Sequence, residues 1–281
     1  MRIIVDVKQV KKNWQFAKLL AGKKKLAFLE KSFYANLKIP DILKLKMSWG
    51  RGNQQINYLI GDNQKQHSGG IAVSKKCIDN APYRKFNFWI PINLLDNREG
   101  LHYTEALSLA RYAKLKGHIV KAFSTIGCIN GNVPSNDFIG AVSQCLRSEF
   151  SYYSIGGSHV LNRKNLPNTV DEIRIGDYVL FGNIPFTNQS KSEAAHAVKL
   201  GLNVIRYYSD RNQYLLRGGN SIYNPETSEA EDKSIRIVQS SSEYTIIETN
   251  KLLSEGDEVI IKTDYHSLQK MKSILQINYV G

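Results

Sequence analysis

Nothing in the cysteines, histidines or hydropathy of this chain builds a disulfide scaffold, a zinc site or a membrane span. The three cysteines, Cys77, Cys128 and Cys145, are odd in number and form no CxxC pair, so reduced thiols are expected. The six histidines fall into no HxxxH or HExxH pattern, and no metal is expected. No window of about 18 apolar residues predicts a membrane helix. The start, MRIIVDVKQVKKNW, lacks the apolar run of a secretory leader, so a cytoplasmic location is the default expectation.

What is present is enough for a core. The 281 residues, 42% of them hydrophobic, suit one large α/β domain or a large domain with a smaller one. The net charge is +13, and residues 1–50 hold 12 Lys/Arg against three Asp/Glu, a net +9. These lysines interleave with an apolar helical pattern, and no DNA- or RNA-binding signature accompanies them. A solvated lysine-rich face is therefore favoured over a nucleic-acid footprint.

The periodicity predicts a strand at RIIVDV, a helix through KQVKKNWQFAKLLAG stopped at Gly22, and a buried-type strand KLAFLEK. Strand, helix, strand in so short a span predicts a βαβ unit in a parallel sheet. Residues 38–85, with SWGRGNQQ and DNQKQHSGG, predict loops around short elements. Order resumes with a strand at KFNFWIPINL, a helix over Thr104–Lys116 and a strand at HIVKAFST. A helix over Asn136–Leu146, a strand through FSYYSI and a strand EIRIGDYVLFG follow. After a short helical SEAAHAVKLG, the strand-like LNVIRYYS, SIRIVQ, EYTIIET and DEVIIKTDY predict a β-rich C-terminal unit.

The chemistry concentrates where glycines meet charge at predicted strand ends. SIGGSH offers backbone amides freed by glycine, suited to a phosphate, and Arg174 in EIRIG suits a ring nitrogen or an anion. Glu172 and Asp177 are the candidate ion-pair partners of Arg174; Asp96 and Glu99 are those of Arg98.

Several segments, in order, resemble the fold-type III pyridoxal phosphate enzymes, the alanine racemase-like barrels, and most closely their ornithine racemase branch. LLDNREGL is similar to a DLREGL loop, STIGCINGNVPS to TNLGC-x-G-x-x-P, SIGGSH to SGGNS, and DEIRIGDYVLFG to LRIGE-x-x-LLG. QSSSEYTII and LSEGDEVIIKTDYHSLQKMKS resemble the branch's C-terminal elements. The resemblance implies an α/β fold: a reduced (β/α) barrel of the alanine racemase type over residues 1–190, with a smaller β-rich C-terminal domain over 191–281. It implies pyridoxal 5'-phosphate on a Lys31 Schiff base. The phosphate would lie on Gly156, Gly157 and Ser158, aided by Ile175 and Gly176, Ser154 is a further cofactor-binding candidate, and Arg174 would face the pyridine nitrogen. Arg98 would approach the phenolic oxygen or the substrate carboxylate, and Cys128 the substrate. Tyr244 and Tyr265 are candidates for the second base. The implied activity is racemisation of a free amino acid, by resemblance a basic one such as ornithine, in a homodimer. A cofactor-binding homologue without turnover, or another reaction of this cofactor such as decarboxylation, stays open. The chain departs from the family where Tyr34 follows Lys31 by three residues and no GHG comes after it.

Overall fold

The computed structural model describes residues 1–30, 37–45, 47–50, 55–60, 64–94, 100–125, 134–163, 165–182, 194–271, 274 and 276–281. Two sheets organise the chain. The first is a closed barrel of eight strands: β2 (Lys25–Glu30), β3 (Met47–Gly50), β4 (Gln55–Ile60), β5 (Gln64–Ile71), β6 (Asn87–Pro91), β7 (Ile119–Thr125), β8 (Tyr153–Gly156) and β9 (Glu172–Ile175). Seven run parallel; β4 is antiparallel to both β3 and β5. Only four residues separate β3 from β4 and three separate β4 from β5, too few for a crossover helix. The chain therefore keeps eight strands while shortening the connections between them. This meander occupies the region expected to be loops around short elements.

Alternation along the barrel strands sorts side chains into two sets. Ala27, Trp49, Trp89 and Phe123 form one buried cluster inside the barrel, joined by Leu29, Ile71 and Tyr152. Phe28, Phe88, Ile90, Ala122, Tyr153, Ile155, Ile173 and Ile175 point the other way into the main core. There they meet α1 (Val7–Ala21), α4 (Tyr103–Leu115) and α5 (Asn136–Leu146), following the short α2 (Ile39–Ile42) and α3 (Lys75–Asp79). Helix α1 buries Val10, Trp14, Ala17 and Ala21 on one stripe, capped by Asp6 and stopped at Gly22 with φ +60°.

The second sheet is largely antiparallel, with the order β12 (Glu229–Ala230), β15 (Glu258–Lys262), β10 (Val198–Tyr208), β11 (Gln213–Arg217), β14 (Tyr244–Thr249), β13 (Ile235–Ser240). It also takes β1 (Arg2–Asp6), antiparallel to β10, and β16 (Ile277–Val280), parallel to β1. This corrects the βαβ expectation: β1 and β2 flank α1 but lie in different sheets. β1 buries Ile3 and Val5 on one face only, the pattern of a half-covered strand, and periodicity names a strand without naming its neighbour.

Two further expectations are corrected. EIRIGDYVLFG is a four-residue strand, β9, followed by a helix, α6 (Asp177–Phe181), that opens at Gly176 and ends at Gly182 in the left-handed region. Every residue of both elements except Asp177 is buried, and a continuous apolar run does not distinguish strand from helix. SEAAHAVKLG is not helical over its described residues; from Val198 it is the start of β10, held between β1 and β15. Its alanines precede those ladders and are held by other bonds: Ala195 to Asn13, and Ala197 to Leu180 and Asp6. Among the described residues no helix is long and apolar enough to cross a membrane.

Candidate active site

Strands β7, β8 and β9 end together at one mouth of the barrel. β8 runs into Gly156 and Gly157, and a 3-10 helix starts at Ser158 and ends at Asn162. Gly157 has φ +130°, open to glycine alone, and a side chain there would meet the His159 ring at 2.5 Å. Its amide donates to Arg174 O at 3.0 Å and its carbonyl accepts from Val160 N at 3.0 Å. Ser158 Oγ accepts the amide of Tyr178 at 3.2 Å. The glycine turn is thereby tied to the start of α6, bringing Gly156, Gly157, Ser158, Arg174, Ile175 and Gly176 to one place.

Arg174 lies inside the barrel wall and is 2% exposed. Its guanidinium stacks on Trp49, with Cζ 4.3 Å from the ring centroid, and lies 5.0 Å from the centroid of Phe123. Nη2 donates to Ser124 O at 2.6 Å. A Cβ on Gly156 would come within 2.8 Å of that Nη2, so this position must be glycine for the guanidinium to fit. A buried, permanently charged planar donor beside a glycine turn is equipped to meet an anion or a ring nitrogen.

Below Arg174, towards the strand starts, is a buried carboxylate. Glu172 accepts Trp49 Nε1 at 3.0 Å and Ser154 Oγ at 2.6 Å on Oε1, and Tyr152 OH at 3.1 Å on Oε2. Its partners are these three donors, where the sequence offered it as an ion-pair partner for Arg174. Ser154 is fully buried with its hydroxyl given to Glu172. Deeper still, Lys121 Nζ lies over Trp89 at 5.1 Å and Tyr152 at 5.5 Å. Burial lowers its pKa, Glu172 opposes that shift, and Lys25 adds to it. Burial likewise lowers the His159 pKa to about 4, helped by the nearby Arg163 charge.

No family model and no curated protein matches the sequence. Solved structures do match in shape. Alanine racemase from Bartonella henselae with covalently bound pyridoxal phosphate superposes with TM-score 0.73 at 14% identity, over 99% of this chain and 98% of that one. The biosynthetic alanine racemase from Pseudomonas aeruginosa gives 0.72 at 13%, over all of both chains. The chain has the alanine racemase fold. That fold is shared by D-threonine aldolase from Filomicrobium marinum, with TM-score 0.69 at 12% identity over 96% of this chain and 89% of that one.

On the alanine racemase fold the other expected site residues lie apart from the glycine turn or outside the described residues. Lys31, Arg98 and Cys128 lie outside them. Tyr244 opens β14 in the second sheet, opposite Arg217, and is 41% exposed. Tyr265 opens α7 (Tyr265–Lys270), a helix capped by the Asp264 carboxylate. Trp49 and the true partners of Glu172 escaped the sequence reading. The signal for Glu172 was its place two residues before Arg174, which in a strand puts both on one face.

Proposed function

We propose that this chain is a pyridoxal phosphate enzyme acting at the α-carbon of a free amino acid, with racemisation as its reaction. The observation that carries the reading is Arg174: a fully buried guanidinium beside the Gly156–Gly157–Ser158 turn, at the mouth of a closed barrel. The residues suit the group. Gly157 admits no side chain, so a phosphate can lie close against the Gly156–Gly157–Ser158 backbone beside Ile175 and Gly176, although the Gly157 amide itself is taken by Arg174 O. When bound, pyridoxal phosphate supplies the electron sink that acidifies an amino acid's α-hydrogen.

The chain's own groups do the rest. Arg174, a guanidinium, keeps its protons at any working pH, so it would donate a hydrogen bond to a ring nitrogen without giving up a proton. Such a contact would weaken the sink and favour return of the proton to carbon. On β2, Lys25, Ala27 and Leu29 share the barrel-facing set, and Lys31 is the next residue of that parity in the sequence. In this reading its amine links the cofactor and serves as the base on one face of the α-carbon. Tyr244 or Tyr265 of a second copy serves the other face across a homodimer, Arg98 receives the substrate carboxylate, and Cys128 lies near the substrate. A basic amino acid such as ornithine is the proposed substrate.

The test is a visible spectrum of the purified protein with added pyridoxal phosphate, before and after borohydride, and on Lys31→Ala. A visible band abolished by the substitution is expected; a colourless wild type overturns the reading. Amino acids are then screened in deuterated water. Deuterium at the α-carbon with loss of optical activity is expected for racemisation. Release of an aldehyde or a keto acid instead would mark the aldolase or dehydratase chemistry for which some proteins of similar shape are named.

A further inference from the structure

The geometry points to Trp49 and Glu172 as positioning residues that fix the plane of the Arg174 guanidinium toward a cofactor's ring nitrogen, an inference that rests on the role proposed for Arg174 above. An arginine has a long flexible stem, and its head is directional only if something orients the plane. Here the indole of Trp49 supplies a face at 4.3 Å from Cζ, Phe123 flanks it at 5.0 Å, Ser124 O takes Nη2 at 2.6 Å, and Gly156 lies against that same Nη2. The guanidinium belongs to β9, and the surfaces that hold it come from β3, β7 and β8.

Trp49 is itself held. Trp89 packs edge-on against it with centroids 4.3 Å apart, Phe123 lies at 5.4 Å, and Nε1 donates to Glu172 at 3.0 Å. Glu172 is anchored in turn by Ser154 and Tyr152. A neutral acceptor would suffice to pin the indole. A carboxylate 2% exposed is costly to bury, and besides its three neutral donors it sits between two cations, Lys121 and the buried Arg174. The charge has a use one step away. An anionic acceptor on Nε1–H makes the indole face more electron-rich, and that face carries the Arg174 cation. Glu172 thus acts on Arg174 through Trp49, from the same face of the same strand.

The test is a double-mutant cycle on pyridoxal phosphate affinity, measured by equilibrium dialysis. Trp49→Leu in the wild-type background is expected to weaken binding about tenfold, and to have little effect in an Arg174→Lys background. An equal loss in both backgrounds overturns the inference and leaves the role of Arg174 standing. If Arg174→Lys alone leaves affinity unchanged, the role of Arg174 fails, and this inference fails with it. Trp49→Phe, which keeps an aromatic face and loses the N–H, serves if the leucine variant does not fold. A second readout needs no cofactor: nitrogen NMR of the Arg174 guanidinium. Slow rotation in the wild type, faster in Glu172→Gln and fastest in Trp49→Leu, is expected; rotation equally fast in all three overturns the inference.

Discussion

The imidazole of His159 lies against Gly157, with Nε2 buried and no hydrogen-bond partner for it among the described residues. Its pKa is held down to about 4 against 6.5 for an ordinary histidine. Above pH 6.5 the group is neutral in both folded and unfolded chains and contributes nothing to pH dependence. Between 6.5 and about 4 the unfolded chain takes up a proton that the folded chain refuses, so stability falls as pH drops through that window. The loss from this residue reaches roughly 2–3 kcal/mol at the acid end. His159→Gln should flatten that slope in urea unfolding followed across the window. His196, also lowered chiefly by burial, titrates in the same direction, so the difference between wild type and variant is what counts. A variant with the wild-type slope would show that His159 is not buried in solution.

Among the elements, α1 does more than cover the barrel. Asn13, fully buried on its inner stripe, donates to Val179 O at 3.0 Å and Ala195 O at 2.8 Å, and accepts from Ala195 N at 3.1 Å. One side chain therefore ties α1 to α6 and to the chain entering β10. Asn13→Leu keeps the volume and strands those backbone groups, and a loss of about 3 kcal/mol in urea unfolding is expected. A loss below about 1 kcal/mol would mean that water replaces the amide. Asn13 was invisible to periodicity, which singled out Val10, Trp14, Ala17 and Ala21 around it. The strands β2, β6, β7 and β8 were legible as short apolar runs buried on both faces, and the helix α5 by its one apolar face behind a Ser135 cap. The meander β3–β5 was not, since its strands are rich in glutamine, asparagine and glycine, which read as turns. At the site, glycine and arginine stand out by type, so the turn and Arg174 were found. Trp49 was lost because only the pairing of β2 with both β3 and β9 brings its ring within reach of Arg174 inside the barrel.

In the whole molecule the chain starts in one sheet, builds the barrel and returns to the sheet it left. β1 lies between β10 and β16, buries Ile3 and Val5, and places Arg2 in a two-bonded pair with Glu258 at 2.8 and 2.7 Å. β1, which comes before the proposed division at residues 190 and 191, is thus a strand of the second sheet. A fragment spanning 194–281 lacks a strand with partners on both sides and two apolar side chains each worth roughly 1.5–3 kcal/mol on burial. Far-UV circular dichroism of that fragment should show coil without a cooperative melt. A cooperative transition would show that the second sheet closes without β1.

The antiparallel β4 carries a consequence for how the barrel is reached. Strands β3, β4 and β5 are joined by connections of four and three residues, whereas the parallel pairs elsewhere in the barrel wait for longer excursions of chain. Loop closure is quickest for such near neighbours, so this third of the wall has the lowest contact order in the barrel and forms on the hairpin timescale. It would then offer a ready edge on which the slower strands assemble.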